Sequence, residues 1–136
     1  MQVEFFDLED ELSPFHGASL SAAAELARII EASRAREPFF CELVGENGYK
    51  LTIGLGKDIG CVQYSPSSGD PPYLMAMARD ANARGYVEFL AGGQPSEVPA
   101  YYCVPIEMVK QIALCFIETG RASDAVRWEE LGSRPT

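Results

Sequence analysis

The 136 residues of this chain suit one domain, because single hydrophobic cores commonly serve about 100 to 200 residues. Hydrophobic residues make up 47% and charged residues 23%, which excludes a disordered or fibrous chain. The formal net charge of −9, from 20 acidic and 11 basic residues, makes free nucleic acid and anionic membranes unexpected partners.

The N-terminal segment is acidic, with six carboxylate residues before the first basic residue, Arg28. It lacks the basic stretch and apolar run of a secretory signal, and no apolar stretch approaches the ~20 residues that span a bilayer. We therefore expect a cytoplasmic protein. An acidic surface also attracts basic partners, although acidity by itself can serve solubility alone.

The first elements along the chain are a helix and a hairpin. Apolar residues at helical spacing and a run of alanines predict a helix from Ser19 to Arg34. The segments Phe39 to Val44 and Tyr49 to Leu55 predict two strands, because the second alternates apolar and small or polar residues. The Asn47-Gly48 pair between them favours a tight hairpin turn.

The middle of the chain predicts further strands and loops. We expect a third strand from Gly60 to Tyr64 and a loop from Ser65 to Pro72, which is rich in proline, glycine and serine. Further strands are expected at three segments: Tyr73 to Ala78, Tyr86 to Ala91 and Tyr101 to Val104.

The C-terminal part predicts a second helix and a last strand. Pro105 opens the helix, an apolar stripe runs along it and Gly120 closes it. Val126 and Trp128 alternate with charged residues, as in a half-buried strand. The predicted fold is α+β, a single domain over residues 1–136 with a mostly antiparallel sheet of six or seven strands and two helices packed on one face.

Residues that could support catalysis or metal binding are scarce. Cys41, Cys61, Cys103 and Cys115 have no CxxC spacing and lie among apolar neighbours, so they are interpreted as buried thiols without disulfides. His16 is the one histidine and falls in a predicted loop. The glycines from Gly54 to Gly60 precede a strand instead of a helix, so they do not form a phosphate-binding loop. No metal or cofactor is expected, and a Cys/His enzyme stays a minor alternative that needs His16 and a cysteine in one cleft.

Exposed loops supply the candidate partner-binding residues. Tyrosine beside carboxylate suits contact with a basic partner, because tyrosine buries a large apolar area at low entropic cost. The alternative is that these tyrosines only line an edge of the sheet. The candidates are Glu46, Asp58, Tyr64, Asp70 and Tyr73.

Several short motifs follow one another in a characteristic order. They are Gly48-Tyr49-Lys50-Leu51-Thr52-Ile53-Gly54, Asp58-Ile59-Gly60-Cys61-Val62-Gln63-Tyr64, Val104-Pro105-Ile106-Glu107, Phe116 with Thr119-Gly120-Arg121, and Val126-Arg127-Trp128-Glu129-Glu130-Leu131. In this order and spacing, residues 38 to 131 resemble the first-numbered immunity protein family of bacterial polymorphic toxin systems. That family includes immunity proteins to nucleic-acid deaminase toxins.

The resemblance implies a protein that binds and inhibits a cognate toxin domain stoichiometrically, without turnover or cofactor. The acidic composition is compatible with this role, because a toxin that acts on nucleic acid needs a basic groove. A small-ligand or regulatory binding module remains an alternative, which a deep apolar pocket would indicate. Trp128 is interpreted as a structural residue packed against the second helix.

Overall fold

The computed structural model describes residues 1–132 and contains two α-helices and ten β-strands in that range. The helices are α1 (Ala23–Ser33) and α2 (Ile106–Thr119). The strands are β1 (Val3–Asp7), β2 (Ala18–Leu20), β3 (Phe39–Gly45), β4 (Tyr49–Leu55), β5 (Ile59–Pro66), β6 (Leu74–Ala76), β7 (Tyr86–Ala91), β8 (Gln94–Pro99), β9 (Val104–Pro105) and β10 (Trp128–Glu130). A 3₁₀ turn, Ala100–Tyr102, separates β8 from β9.

The strands form one mostly antiparallel sheet. Seven of them run side by side in the order β10-β6-β5-β4-β3-β1-β2, and each is antiparallel to its neighbours. β9 pairs with the start of β5, while β7 makes one parallel pair with β3 and an antiparallel hairpin with β8. The predicted α+β class and mostly antiparallel sheet are confirmed, with ten strands in place of six or seven. The single domain over 1–136 stays a prediction, and residues 133–136 lie outside the described part.

Several predicted boundaries differ from the structure. The first helix begins at Ala23 and not at Ser19, because Ala18–Leu20 pairs with β1 as a strand. The predicted strand from Tyr101 to Val104 is mainly the 3₁₀ turn, and of its four residues Val104 belongs to a strand, the short β9. β5 continues to Pro66, so the predicted loop begins two residues later than expected.

Both helices cover one face of the sheet and share one core with it. Each helix contributes an apolar stripe, and the strands contribute alternate residues. The largest fully buried side chains of this core are Phe5, Leu26, Ile30, Phe39, Leu43, Leu51, Ile53, Leu55, Ile112, Phe116 and Ile117. Gly120 ends α2 in the left-handed conformation, at φ 73°, so the predicted helix end is confirmed. Neither helix in the described part has the length and apolar character needed to span a bilayer.

The opposite face of the sheet is partly covered by the β7–β8 hairpin. Phe40, Gly54 and Cys61 lie in register on three adjacent strands, and Phe89 of β7 packs in a small core with Phe40 and Cys61. A Cβ atom on Gly54 would lie 2.8 Å from the Phe89 ring. The missing side chain of Gly54 is therefore what lets the hairpin pack onto the sheet.

A buried carboxylate, that of Asp7, anchors the N-terminal segment by hydrogen bonds. Asp7 Oδ1 accepts the backbone N–H groups of Glu9 and Asp10, and Asp7 Oδ2 accepts a 2.7 Å hydrogen bond from Arg36. The Arg36 guanidinium in turn lies 3.8 Å above the Phe39 ring. Burial alone would raise the pKa of Asp7, but these hydrogen bonds and the Arg36 charge outweigh it and lower the pKa below its ordinary value.

Candidate partner-binding surface

The helix-free face of the sheet carries a row of side chains that the strand register brings together. Glu42, Thr52, Gln63, Met75 and Glu129 occupy matched positions on β3, β4, β5, β6 and β10. Antiparallel sheets often leave one face to solvent, and polar residues then alternate with buried ones along each strand. This row is therefore the part of the sheet that neither helix can cover.

Hydrogen bonds hold the two ends of this row. At one end, Glu42 Oε2 accepts bonds from Lys50 Nζ at 2.7 Å and from Thr52 Oγ1 at 3.2 Å. At the other end, the Tyr102 hydroxyl donates to Glu129 Oε1 at 2.9 Å. The carboxylates consequently have fixed positions at both ends of the row.

A groove of about 500 Å³ lies over the middle of the row. Its floor is the sheet. One wall is the end of β8 with the 3₁₀ turn, and the other wall is the segment directly after β10, Leu131 and Gly132. The lining residues are Phe40, Thr52, Cys61, Gln63, Met75, Glu97, Val98, Pro99, Tyr101, Tyr102, Leu131 and Gly132. Within residues 1–132 this lining is mainly apolar and includes no lysine or arginine, so the charge that Glu97 brings to it is negative.

The outer side of the β7–β8 hairpin continues this surface. Tyr86 pairs with Pro99, and Glu88 pairs directly with Glu97. Tyr86 is 66% exposed, which is unusual for so large a ring. Neither Glu88 nor Glu97 forms an ion pair within residues 1–132. The hairpin therefore presents an aromatic ring beside two facing carboxylates.

Three of the five candidate residues predicted from sequence lie in loops at one end of the sheet. Glu46 is at the tip of the β3–β4 hairpin, and Asp70 and Tyr73 are in the loop between β5 and β6. The Ser67 N–H donates to the Gly48 carbonyl at 2.8 Å, which joins that loop to the hairpin tip. Glu46 and Asp70 are exposed, and the Tyr73 hydroxyl donates to the Gly69 carbonyl.

Tyr64 is at the same end but on the helix side of the sheet. Its hydroxyl donates to the Gly120 carbonyl at 3.0 Å, and its ring stacks on Tyr49 with centroids 5.0 Å apart. Phe116 and Trp128 contact the same ring edge-on. Burial and the nearby Tyr49 raise the pKa of Tyr64. Tyr64 is thus engaged mainly by its own chain, with Tyr49 as the exposed outer ring of the stack.

Asp58 is separated from the other candidates. It lies in the turn between β4 and β5, whereas Glu46 lies beyond the opposite end of β4. A strand of seven residues spans roughly 20 Å, so one small contact cannot include both carboxylates. The Asp58 carbonyl also accepts the N–H of Ile106 at the start of α2.

The cysteines and His16 do not converge. Cys41, Cys61 and Cys103 are buried free thiols, and burial raises the pKa of all three, that of Cys103 to about 11. His16 Nδ1 accepts the Asp7 N–H at 3.0 Å, and its ring contacts Phe6. Within residues 1–132, no three His, Cys, Asp or Glu side chains are arranged to hold a metal ion.

The comparison with family models identifies the chain. The model described as Immunity protein Imm1 matches residues 16–130, from the loop before β2 to the end of β10. The chain belongs to the Imm1 immunity protein family. The family resemblance predicted from residues 38 to 131 is confirmed, and the match also includes α1. No curated protein matches the chain.

Sequence reasoning missed the groove and the hairpin surface of this Imm1 chain. Alternation of polar and apolar residues at Glu42, Thr52 and Gln63 indicates a solvated face. Only the register of five strands shows that these residues form one row with Met75 and Glu129. The sequence of β8 does not indicate a strand, because it is polar and contains two prolines. Such a composition is tolerated in a strand at the edge of a sheet.

Proposed function

We propose that this Imm1 chain binds a cognate secreted bacterial toxin, a nucleic-acid deaminase, and inhibits it by occluding its active site. The inhibition is stoichiometric, occurs in the cytoplasm and needs neither turnover nor a cofactor. The observation that carries the proposal is the acidic balance of a chain in an immunity family, 20 acidic against 11 basic residues.

The physical reason is competition for a basic groove. Enzymes that act on DNA or RNA hold the phosphate backbone with lysine and arginine, which supply much of the affinity. A protein surface rich in carboxylates can occupy such a groove in place of the substrate. Complementary charge also raises the rate of association at low salt.

The end of the sheet with the β3–β4 hairpin supplies one part of the proposed contact. Glu46 lies in one loop at this end, Asp70 and Tyr73 lie in the loop hydrogen-bonded to it, and Tyr49 adds a ring that is 39% exposed. Tyr64 supports Tyr49 by stacking and contributes mainly through it. Asp58 contributes only if the toxin reaches the other end of the sheet.

The experiment is a titration of purified chain against the toxin domain encoded beside its gene, with toxin activity and calorimetric binding as readouts. We expect complete inhibition at equimolar chain. The double variant Glu46→Ala/Asp70→Ala should bind about tenfold more weakly or worse, because both carboxylates are exposed and lost from one surface. Tyr64→Phe should keep most of the affinity, since that hydroxyl bonds within the chain.

The matched control is Glu118→Ala/Asp124→Ala, which removes the same charge from exposed positions on and after α2. Its affinity should stay close to that of the unchanged chain. An absence of binding at micromolar concentrations would contradict the proposed function. Equal affinities for the two double variants would contradict the assignment of the hairpin end.

A small-ligand binding module is the second candidate, and the 500 Å³ groove is the observation that favours it. Native mass spectrometry of the chain purified alone tests this alternative. A retained small molecule that Gln63→Trp removes would support it. A mass equal to that of the bare chain would favour a protein partner.

A further inference from the structure

We propose that the outer side of the β7–β8 hairpin and the groove along β8 form a docking surface for a toxin segment that carries a lysine or arginine beside an apolar side chain. The inference rests on the proposed function and names a contact surface for the same partner. It concerns a different part of the molecule from the hairpin end with Glu46 and Asp70.

Two like charges face each other on the hairpin. Glu88 and Glu97 are directly opposed on adjacent antiparallel strands, an arrangement that normally destabilises a sheet. Both are exposed, and neither forms an ion pair in the described part of the chain. A cation placed between them would convert the repulsion into two favourable contacts.

An apolar surface lies next to this pair of carboxylates. Tyr86 is two residues from Glu88 on the same side of β7 and is 66% exposed. Apolar patches rimmed by polar groups mark interaction sites, and tyrosine is enriched among residues that dominate binding energy. The groove beside Glu97 adds mainly apolar lining from Val98, Pro99 and Tyr102.

Contacts within the chain hold the hairpin in place before any partner binds. Phe89 packs into the recess at Gly54, and the Leu90 N–H donates to the Pro38 carbonyl at 2.8 Å. At the tip, the Gly93 N–H lies 3.0 Å from a carboxylate oxygen of Glu9. A preformed surface loses little conformational entropy on binding, so its contacts contribute more fully to affinity.

The occupant follows from the charges and shape. Among the described residues that line the groove there is no lysine or arginine, and Glu97 is the charged one. A cationic side chain satisfies Glu88 and Glu97, and an apolar neighbour fills the groove. A toxin that binds nucleic acid carries such cations around its active site.

The test compares two variants that leave the core unchanged with two matched controls. Glu97→Arg reverses one charge of the facing pair, and Tyr86→Ala removes the exposed ring. Glu118→Arg makes the same charge change on the helix side, and Leu12→Ala truncates another exposed apolar residue, 92% exposed. All four are titrated calorimetrically against the toxin domain encoded beside the gene, at low and high salt, with melting temperatures measured in parallel.

We expect Glu97→Arg and Tyr86→Ala each to weaken binding by about tenfold or more, with the controls within about twofold. Glu97→Arg should also flatten the salt dependence of the dissociation constant, which a structural change alone would not do. Gln63→Trp, which fills the groove floor, should weaken binding as well. Tight binding of the unchanged chain together with unaltered affinity of Glu97→Arg and Tyr86→Ala would overturn this surface and leave the proposed function intact. No binding by the unchanged chain would overturn both.

Discussion

The side-chain amide of Asn47 donates a hydrogen bond of 2.9 Å to the carbonyl oxygen of Gly120. The bond joins the tip of the β3–β4 hairpin to the end of α2, residues 73 positions apart in the sequence. Tyr64 donates its hydroxyl to the same carbonyl. This oxygen thus links the candidate surface at the hairpin end to the helix layer.

Replacing Gly120 should destabilise the chain more than replacing a left-handed glycine that has no neighbour at its Cβ position. Gly120→Ala places a Cβ in the left-handed region and against the Asn47 side chain, so we expect a loss of about 2 to 3 kcal/mol. Gly85→Ala is the matched control, because Gly85 has φ 92° with nothing near its Cβ position. It should cost about 1 kcal/mol. Urea unfolding measures both, and equal losses would show that the Asn47 contact is unimportant.

Asp7 should make the free energy of unfolding depend on pH in the acid range. Its pKa is lowered in the folded chain, so its contribution is fully present above the ordinary carboxyl pKa, about 4, and is lost as the pH falls through the folded-state value. The free energy of unfolding should therefore decrease as the pH is lowered below about 4, and decrease less in Asp7→Asn. At pH 7 that variant should be about 1 to 3 kcal/mol less stable, since Arg36 loses a charged acceptor.

Chemical denaturation at several pH values measures this effect. Glu118→Gln serves as the control, because Glu118 is an exposed carboxylate without an ion pair among residues 1–132. Its pH profile should follow that of the unchanged chain. Parallel profiles for Asp7→Asn and the unchanged chain would contradict the role of Asp7.

The four cysteines should differ in reactivity. Burial raises the pKa of Cys41, Cys61 and Cys103, and the thiolate is the reactive form, so these three should react slowly in the folded chain. Cys115 is only half-buried and should react first. A thiol reagent at pH 8 should therefore modify one cysteine rapidly and the others only on unfolding. Rapid modification that persists in Cys115→Ser would refute this order.

Gly54 should be required for docking of the hairpin. A Cβ at this position would lie 2.7 Å from Cys61 Sγ and 2.8 Å from the Phe89 ring, so Gly54→Ala should cost about 2 kcal/mol. Phe89→Leu creates space, and the double variant should be less destabilised than the sum of the two single changes. Thermal unfolding of the four proteins gives the coupling. Strict additivity would show that Gly54 and Phe89 do not share this contact.

The parts of the fold that sequence predicted are those with strong local patterns. The β3–β4 hairpin and α2 have clear alternation or helical periodicity with glycines at their ends, and both are present. β1 is absent from the prediction, because two of its five residues are carboxylates and interrupt the apolar pattern. Asp7 is nevertheless buried, since Arg36 reaches it from 29 residues away, and local patterns cannot show such a partner.

The candidate site was less predictable than the fold. Loop composition indicates Glu46, Asp70 and Tyr73 as turn residues, and the structure has them in two loops that a hydrogen bond from Ser67 to Gly48 joins. In the sequence, Tyr64 directly precedes a predicted loop. Side chains alternate between the two faces of the sheet along β5, however, and this alternation directs Tyr64 toward the helices. The groove depends on pairing among strands far apart in the chain, which no local pattern encodes.

Alternate residues of the β7–β8 hairpin have different roles. Val87, Phe89 and Val98 face the sheet and hold the hairpin in place, whereas Tyr86, Glu88 and Glu97 face away. Mutations at the outward positions leave the inward packing unchanged, so the two sets can diverge independently. When the toxins of competing bacteria change, the exposed residues of this hairpin can therefore be substituted one at a time without loss of the fold.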